Sequence, residues 1–184
     1  LAVMGRLVPQ DLNEPPAGEL LKEIEVQKQR LVKEKKIKMP KPVSSISQDD
    51  EPFQVPDNWR WVRIAELAES IDYGTSQKTC DDSSLVPVYR MGNIVDGQLI
   101  DEGFKYIAPD IDELPRLFLQ PNDILFNRTN SYELVGKISL FDLDGDYLSA
   151  SYIVAYRPNF KVLNSIFINS PTLLLFIQIG RAHV

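Results

Sequence analysis

The stretch DILFNRTNSYELVGK, residues 123–137, joins an apolar strand pattern to a run of polar side chains without a break. The segment Ile124-Leu125-Phe126 has the branched and aromatic composition of a buried strand. The residues that follow can all form side-chain hydrogen bonds, and they are Asn127, Arg128, Thr129, Asn130, Ser131 and Tyr132. The stretch therefore predicts a strand that anchors a polar loop facing a partner outside the core.

Short apolar segments separated by turn signals surround this stretch. Further strands are predicted at 86–94, 104–107, 137–141 and 147–156, with tight turns at Asp96-Gly97 and Asp144-Gly145-Asp146. Short helices are predicted at 64–70 and 110–119, and a further helical run at 165–179. Many short strands with few helices indicate an α+β domain with a curved, mostly antiparallel sheet. We place this domain at residues 59–180.

The first 36 residues have a helical pattern instead. Residues 16–36 are dense in strong helix formers, and Pro16 suits the first turn of a helix. Leu21, Ile24 and Leu31 form an apolar stripe interrupted at Lys28, which predicts a long amphipathic helical arm. Two interpretations stay open: a solvated helix that only packs, or an arm that docks on another chain. The proline-rich residues 37–58 are predicted to form a semi-extended linker to the second domain.

Composition narrows the class of protein. The 184 residues are 43% hydrophobic and 25% charged, the profile of a soluble globular protein. A single cysteine, Cys80, together with the lack of a signal-peptide or membrane-spanning pattern, predicts a cytoplasmic setting. The net charge of −6 argues against nucleic-acid binding by bulk positive charge, so that a reader of polyanions needs a local patch or a partner's field. The first residue is not methionine, and we interpret the sequence as a fragment with residues 181–184 as a candidate non-native tail.

The chemistry of an enzyme is missing from the sequence. The only histidine, His183, lies in the doubtful tail, which excludes a histidine-based triad or zinc site. Neither a glycine-rich phosphate loop nor the Asn-Pro-Pro-aromatic motif of amino-methyltransferases is present. The acidic clusters, such as Asp142, Asp144 and Asp146, lie in predicted turns and lack the spacing of a calcium loop. We therefore predict a non-catalytic chain with no metal or cofactor of its own.

Polar loops are what the sequence offers in place of a catalytic set. Besides residues 127–132, the candidates for recognition are Gly74, Thr75, Ser76, Gln77, Lys78, Arg90, Asn93, Lys137, Ser151 and Tyr152. Arginine and asparagine side chains match the edges of guanine and adenine, and hydroxyl groups and lysines match phosphates. Any one of these loops is explained by ordinary turn chemistry. Several of them in one domain without a catalytic set favour a recognition module.

Several of these stretches in this order resemble the specificity subunit of type I restriction–modification enzymes. They are LAVMGRLVPQD, ELLKEIEVQKQRLVKEKKIK, VPDNWRWVRIAELA, YGTSQKT, VPVYRMGNI, DILFNRTNSYELVGK and SYIVAYRP. The resemblance implies a target-recognition domain at about residues 53–180, preceded by part of a conserved helical region. In that family, one subunit carries two such domains separated by long antiparallel helices, and each domain reads one half of a split duplex DNA target.

The resemblance also implies partners. Two methylation subunits would bind the specificity subunit and hold S-adenosylmethionine, and restriction subunits would supply ATP-driven translocation and cleavage. Leu21, Ile24 and Leu31 would then bind a partner, and the polar loops would bind DNA. Two other functions remain open from the residues alone. One is a protein-binding module that uses the same polar loops as an interface, and the other is a degenerate enzyme domain.

Overall fold

The computed structural model describes residues 4–6, 9–10, 13, 15–129 and 132–159. These residues divide into two compact units. Unit 1 contains the described residues up to Ser70 together with Asn159, and unit 2 contains the described residues of Ile71–Pro158. The predicted helix at 165–179 lies outside the described residues.

Unit 1 contains helix α1, Ala17–Lys33, and the short helix α2, Ile64–Leu67. Helix α1 follows Pro16, as the sequence predicts, and the backbone N–H of Ala17 donates to the carbonyl of Asn58 at 2.9 Å. The helix ends before Lys35, which adopts a left-handed φ of 57°. It therefore occupies most of the predicted range 16–36 and stops short of its basic end.

The long helical arm is not confirmed, because one side of α1 is buried within unit 1. Ile24 is 1% exposed, and Lys28 is also buried. The Lys28 ammonium group donates to the carbonyls of Ala65 at 3.2 Å and Glu66 at 3.3 Å, in the last turn of α2. Lys28 interrupts the apolar stripe in sequence, but it buries its aliphatic stem and caps another helix. Among the described residues, α1 is the only helix of seven or more residues.

The strands of the described residues form three small sheets. They are β1 Ala68–Tyr73, β2 Val86–Tyr89, β3 Ile94–Val95, β4 Gln98–Leu99, β5 Lys105–Ile107, β6 Asp123–Asn127, β7 Ile138–Phe141, β8 Leu148–Ser149 and β9 Ile153–Pro158. Their orders are β1-β9-β6-β7, β5-β2-β8 and β3-β4. Strand β6 pairs antiparallel with both β7 and β9, whereas β2 pairs antiparallel with β5 and parallel with β8. The mixed fold with antiparallel sheets agrees with the predicted α+β class.

Among the described residues of unit 2, the buried apolar side chains form two clusters. The larger one places Tyr89 against Phe141 and Phe104, with ring centroids 5.9 and 5.0 Å apart in edge-to-face geometry. Leu125 and Ile153 from β6 and β9 complete its centre, and both are fully buried. The second cluster contains Val86, Val88, Ile107, Leu117 and Leu148. Strand β6, the start of the stretch quoted at the outset, thus lies in the middle of the four-stranded sheet.

Several predicted elements differ from those observed. The predicted helix 64–70 ends at Leu67, because the chain continues directly as strand β1. The predicted strand 86–94 is interrupted by a 3-10 turn at Met91–Asn93, and residues 110–119 form turns rather than a helix. The turn at Asp96-Gly97 is confirmed, with φ values of 50° and 81° that match a type I′ hairpin.

Candidate nucleic-acid interface

The loop after β6 is held closed by Asn127. This residue is fully buried, and its side-chain amide donates to the carbonyls of Thr129 at 3.0 Å and Leu134 at 2.7 Å. Its backbone N–H donates to the carbonyl of Lys137 at 2.9 Å, and its own carbonyl accepts from Gly136 at 2.7 Å. Both amide protons of the side chain are therefore used within the loop. This placement favours a supporting role for Asn127 over the direct DNA contact expected from the sequence.

A second buried asparagine shapes the turn that follows β2. Asn93 is 4% exposed, and its side-chain oxygen accepts from the backbone N–H of Arg90 at 2.9 Å. Its side-chain amide donates to the carbonyls of Ile100 at 3.0 Å and Glu102 at 2.7 Å. Asn93 therefore fixes the backbone that carries Arg90, as Asn127 fixes the backbone that carries Arg128. In both turns the asparagine is internal, whereas Arg128 is exposed and the half-buried Arg90 donates to the carbonyl of Gly103 at 3.3 Å.

The loops that carry the two arginines are both hydrogen-bonded to residues 150–152. The backbone N–H of Arg128 donates to the carbonyl of Tyr152 at 3.2 Å. Burial raises the pKa of the Tyr152 hydroxyl, while the charge of Arg90 and a hydrogen bond with the backbone of Met91 act in the opposite direction. The loop of Arg90 is joined to the same segment, because the backbone N–H of Ala150 donates to the carbonyl of Tyr89 at 2.9 Å. Residues far apart in sequence thus carry two arginines on loops that are joined to one segment, on a chain whose net charge is −6.

The loop after β1 is attached to the same segment. The backbone N–H of Thr75 donates to the carbonyl of Ser149 at 2.8 Å, and the backbone carbonyl of Thr75 accepts from the N–H of Ser151 at 2.9 Å. Gly74 passes so close to this segment that an added Cβ would lie 2.0 Å from the Ser149 carbonyl oxygen, so that only glycine fits. The hydroxyl of the buried Thr75 accepts from the N–H of Gln77 at 3.2 Å. Residues 76–78 are left exposed at the end of this turn.

We call the side chains carried by these joined segments the loop surface. Its members are Tyr73, Ser76, Gln77, Lys78, Arg90, Arg128 and Tyr152. None of the ion pairs formed within the described ranges includes Lys78, Arg90 or Arg128. The positive charges of these three side chains are therefore not balanced by any of these ion pairs. Charge-assisted hydrogen bonds to an anionic ligand are what such groups form readily.

Tyr73 belongs to the loop surface although the sequence did not single it out. The guanidinium carbon of Arg128 lies 4.6 Å from the centroid of the Tyr73 ring, which is cation–π geometry. Tyr73 ends strand β1 and is 57% exposed. An exposed aromatic residue immediately before a glycine and a polar loop was the available signal, but a single exposed tyrosine is not specific.

Some predicted site residues lie elsewhere or cannot be described. The Lys137 ammonium group donates to the carbonyl of Ile94 at 3.0 Å and is half-buried. Tyr132 is 81% exposed, and Asn130 and Ser131 lie outside the described residues. Of the three residues predicted to bind a partner, Ile24 is buried within unit 1, whereas Leu21 and Leu31 are half-buried.

Two absences can be stated for the described part of the chain. Its His, Cys, Asp and Glu side chains form no group of three or more that could hold a metal ion. No helix within residues 15–129 and 132–159 is long and apolar enough to cross a membrane.

The chain is similar to known restriction enzyme subunits. It is 34% identical over 173 residues to the type I restriction enzyme EcoEI specificity subunit of Escherichia coli, covering 83% of this chain and 29% of the relative. It is 32% identical over 184 residues to the EcoAI specificity subunit of the same organism, covering 90% of this chain and 31% of the relative. The chain thus spans about 30% of the length of these relatives. No family model matches.

A solved structure of a type I R-M system is also similar, with 20% identity, a TM-score of 0.41, and coverage of 85% of this chain and 36% of that one. At that TM-score, the match has no weight for the fold. The resemblance to type I specificity subunits that the sequence suggests is confirmed by the two curated relatives. Both are specificity subunits, in agreement with the expectation of a non-catalytic chain.

Proposed function

We propose that this chain is the DNA-reading part of a type I restriction enzyme specificity subunit, and that its loop surface contacts duplex DNA. The observation that supports this most directly is the convergence of three separate loops, those that carry Lys78, Arg90 and Arg128, on residues 149–152. The sequence similarity to specificity subunits points to the same function. On this proposal, the polar run after β6 exists to present Arg128 to DNA.

The chemistry of the loop surface suits both parts of a DNA duplex. A guanidinium group can fork onto the two acceptors of guanine in the major groove or hold a phosphate. Exposed Ser76, Gln77 and Lys78 suit phosphate oxygens and base edges. Because the net charge is −6, the field that attracts the DNA would come from this local cluster and from partner subunits.

The finer parts of the proposal follow the family resemblance. Residues 59–180 would form one target-recognition domain that reads one half of a bipartite site. Two methylation subunits would hold S-adenosylmethionine, and restriction subunits would use ATP. The proposed assembly acts in the cytoplasm on double-stranded DNA.

Helix α1 is proposed to dock on a methylation subunit through the side that unit 1 leaves open. Val26 is 67% exposed there, beside the half-buried Leu31. An open groove of about 580 Å³ runs along this side and is lined by Lys22, Glu23, Val26, Gln27, Arg30, Leu31, Glu34 and Lys36. A short apolar line within a charged border is the composition expected of a docking helix rather than of a base-reading element.

The first experiment maps methylated positions in the source genome with the gene present and deleted, which identifies the cognate duplex. The Arg128→Ala variant is then made in the complete gene product and assembled with its methylation subunits. If Arg128 forks onto a guanine, cognate affinity falls by about 1–3 kcal/mol and discrimination at one base pair relaxes. If Arg128 holds a phosphate, binding falls on all sequences and the salt slope decreases by about one.

The matched control is Arg60→Ala, which removes an exposed arginine from unit 1. It is expected to leave base discrimination unchanged. Wild-type affinity and an unaltered salt slope for Arg128→Ala on every duplex would show that this loop is a structural turn and would end the proposal for the loop surface.

A further inference from the structure

We infer that Tyr73 is a positioning residue for DNA recognition, because its ring holds the guanidinium group of Arg128 in the orientation from which it contacts DNA. This inference rests on the proposed function and adds to it a residue that the sequence pattern did not indicate. The contact that supports it is the 4.6 Å separation between the Arg128 guanidinium carbon and the centroid of the Tyr73 ring.

The backbones on both sides of this contact are fixed to the same neighbouring segment. Tyr73 is the last residue of β1, and the next residue, Gly74, donates its N–H to the carbonyl of Ile153 at 3.2 Å. Arg128 follows β6 directly and donates its N–H to the carbonyl of Tyr152 at 3.2 Å. The two side chains therefore meet because adjacent residues of one segment, 152 and 153, hold both main chains.

The contact leaves the binding groups of Arg128 accessible. A guanidinium group that stacks by one face on a ring still has its N–H groups at the edge, where they can fork onto guanine or phosphate oxygens. A free arginine side chain loses rotamer freedom when it binds, and this loss opposes binding. A ring that restricts the side chain beforehand reduces that loss. Arg128 is exposed and Tyr73 is 57% exposed, so that both remain accessible to a duplex.

The experiment uses the complete gene product assembled with its methylation subunits and the cognate duplex found by methylation mapping. The variants are Tyr73→Leu, Tyr73→Phe, Tyr73→Trp, Arg128→Ala and the double variant Tyr73→Leu/Arg128→Ala. The matched control is Leu140→Ala, because Leu140 is 45% exposed and lies on β7, the opposite edge of the same sheet. Dissociation constants are measured on cognate and single-base-changed duplexes, and thermal unfolding is measured for each variant.

We expect Tyr73→Leu to weaken cognate binding about two- to fivefold, the effect of an exposed cation–π contact. Tyr73→Phe keeps the ring and is expected to bind as the wild type does, and Tyr73→Trp to bind at least as tightly. Tyr73→Leu is expected to have no further effect once Arg128 is alanine. Leu140→Ala is expected to bind like the wild type. A positioning role is supported only if affinity depends on whether residue 73 carries an aromatic ring while the thermal unfolding temperature does not.

Other outcomes overturn the inference and keep it separate from the proposed function. If Tyr73→Leu weakens binding equally with and without Arg128, Tyr73 touches DNA itself and does not position the arginine. If Arg128→Ala weakens binding while Tyr73→Leu does not, the inference is wrong and the proposed interface stands. If neither variant changes binding to any duplex, the interface itself is wrong. Should Tyr73→Leu fail to fold, Tyr73→Gln, which also lacks the ring and suits an exposed position, replaces it in the same comparison with and without Arg128.

Discussion

The turns after β2 and β6 each contain a buried asparagine that shapes the loop and an arginine close to it in sequence. The sequence predicts that Asn93 and Asn127 bind DNA, whereas in the structure both side chains are buried and their amides donate within the chain. Their partners are backbone carbonyls a few residues away, which the structure places against both buried amides. Residue type alone could not decide this, because the same amide group matches an adenine edge and a loop carbonyl equally well. Burial is what separates the two roles.

Asn127→Ala is expected to destabilise the chain by about 1–3 kcal/mol, because it removes the two hydrogen bonds that the fully buried Asn127 amide donates to the carbonyls of Thr129 and Leu134. Urea unfolding measures this effect, and faster amide exchange in the described residues of the loop should accompany it. The control is Gln98→Ala, which removes an exposed amide on β4 and is expected to change little. Unchanged stability together with lost discrimination at one base pair would instead assign Asn127 to base reading.

At the scale of elements, the position of helix α1 in the sequence was predicted, but its packing against α2 was not. Its helix formers and Pro16 predict its start within one residue. Its orientation depends on Lys28, whose partners Ala65 and Glu66 lie more than thirty positions further along the chain. Burial lowers the pKa of Lys28, so that the buried ammonium group depends on these two carbonyls. A contact of that range leaves no periodic signal in sequence, and Lys28 therefore looked like a break in the stripe.

The two sides of α1 are expected to respond differently to charge. Val26→Asp or Leu31→Asp in the complete gene product should weaken assembly with the methylation subunit while the chain stays folded, because Val26 is exposed and Leu31 is half-buried. Ile24→Asp should unfold unit 1, because Ile24 is 1% exposed and an unpaired carboxylate is costly to bury. Size-exclusion chromatography measures assembly, and circular dichroism measures folding. Unchanged assembly with both of the first two variants would remove the docking proposal.

At the scale of the molecule, the fold class and some of the strands could be predicted, but the arrangement of the strands could not. The strands at 105–107, 123–127 and 138–141 follow local composition and agree with the sequence within one residue. The order β1-β9-β6-β7 and the parallel pairing of β2 with β8 join segments that are distant in sequence. The loop surface depends on this arrangement, because residues 149–152 can hold the loops after β1 and β6 only when β9 lies between those strands. All members of the loop surface except Tyr73 were predicted as candidate recognition residues, but the contacts that bring their loops together were not.

If residues 59–180 form a complete recognition module, exchanging them should transfer specificity. We expect that replacing this segment in the complete gene product with the aligned segment of the EcoEI relative changes one half of the methylated motif. The other half and the gap between the halves should stay the same, because the exchanged segment leaves α1 and the linker in place. Methylation mapping in cells that carry the exchanged gene measures both halves at once. Exchanging only residues 37–58 is the control and should leave both halves unaltered. A motif that stays the same after the first exchange, in cells that still methylate their DNA, would place sequence reading outside residues 59–180.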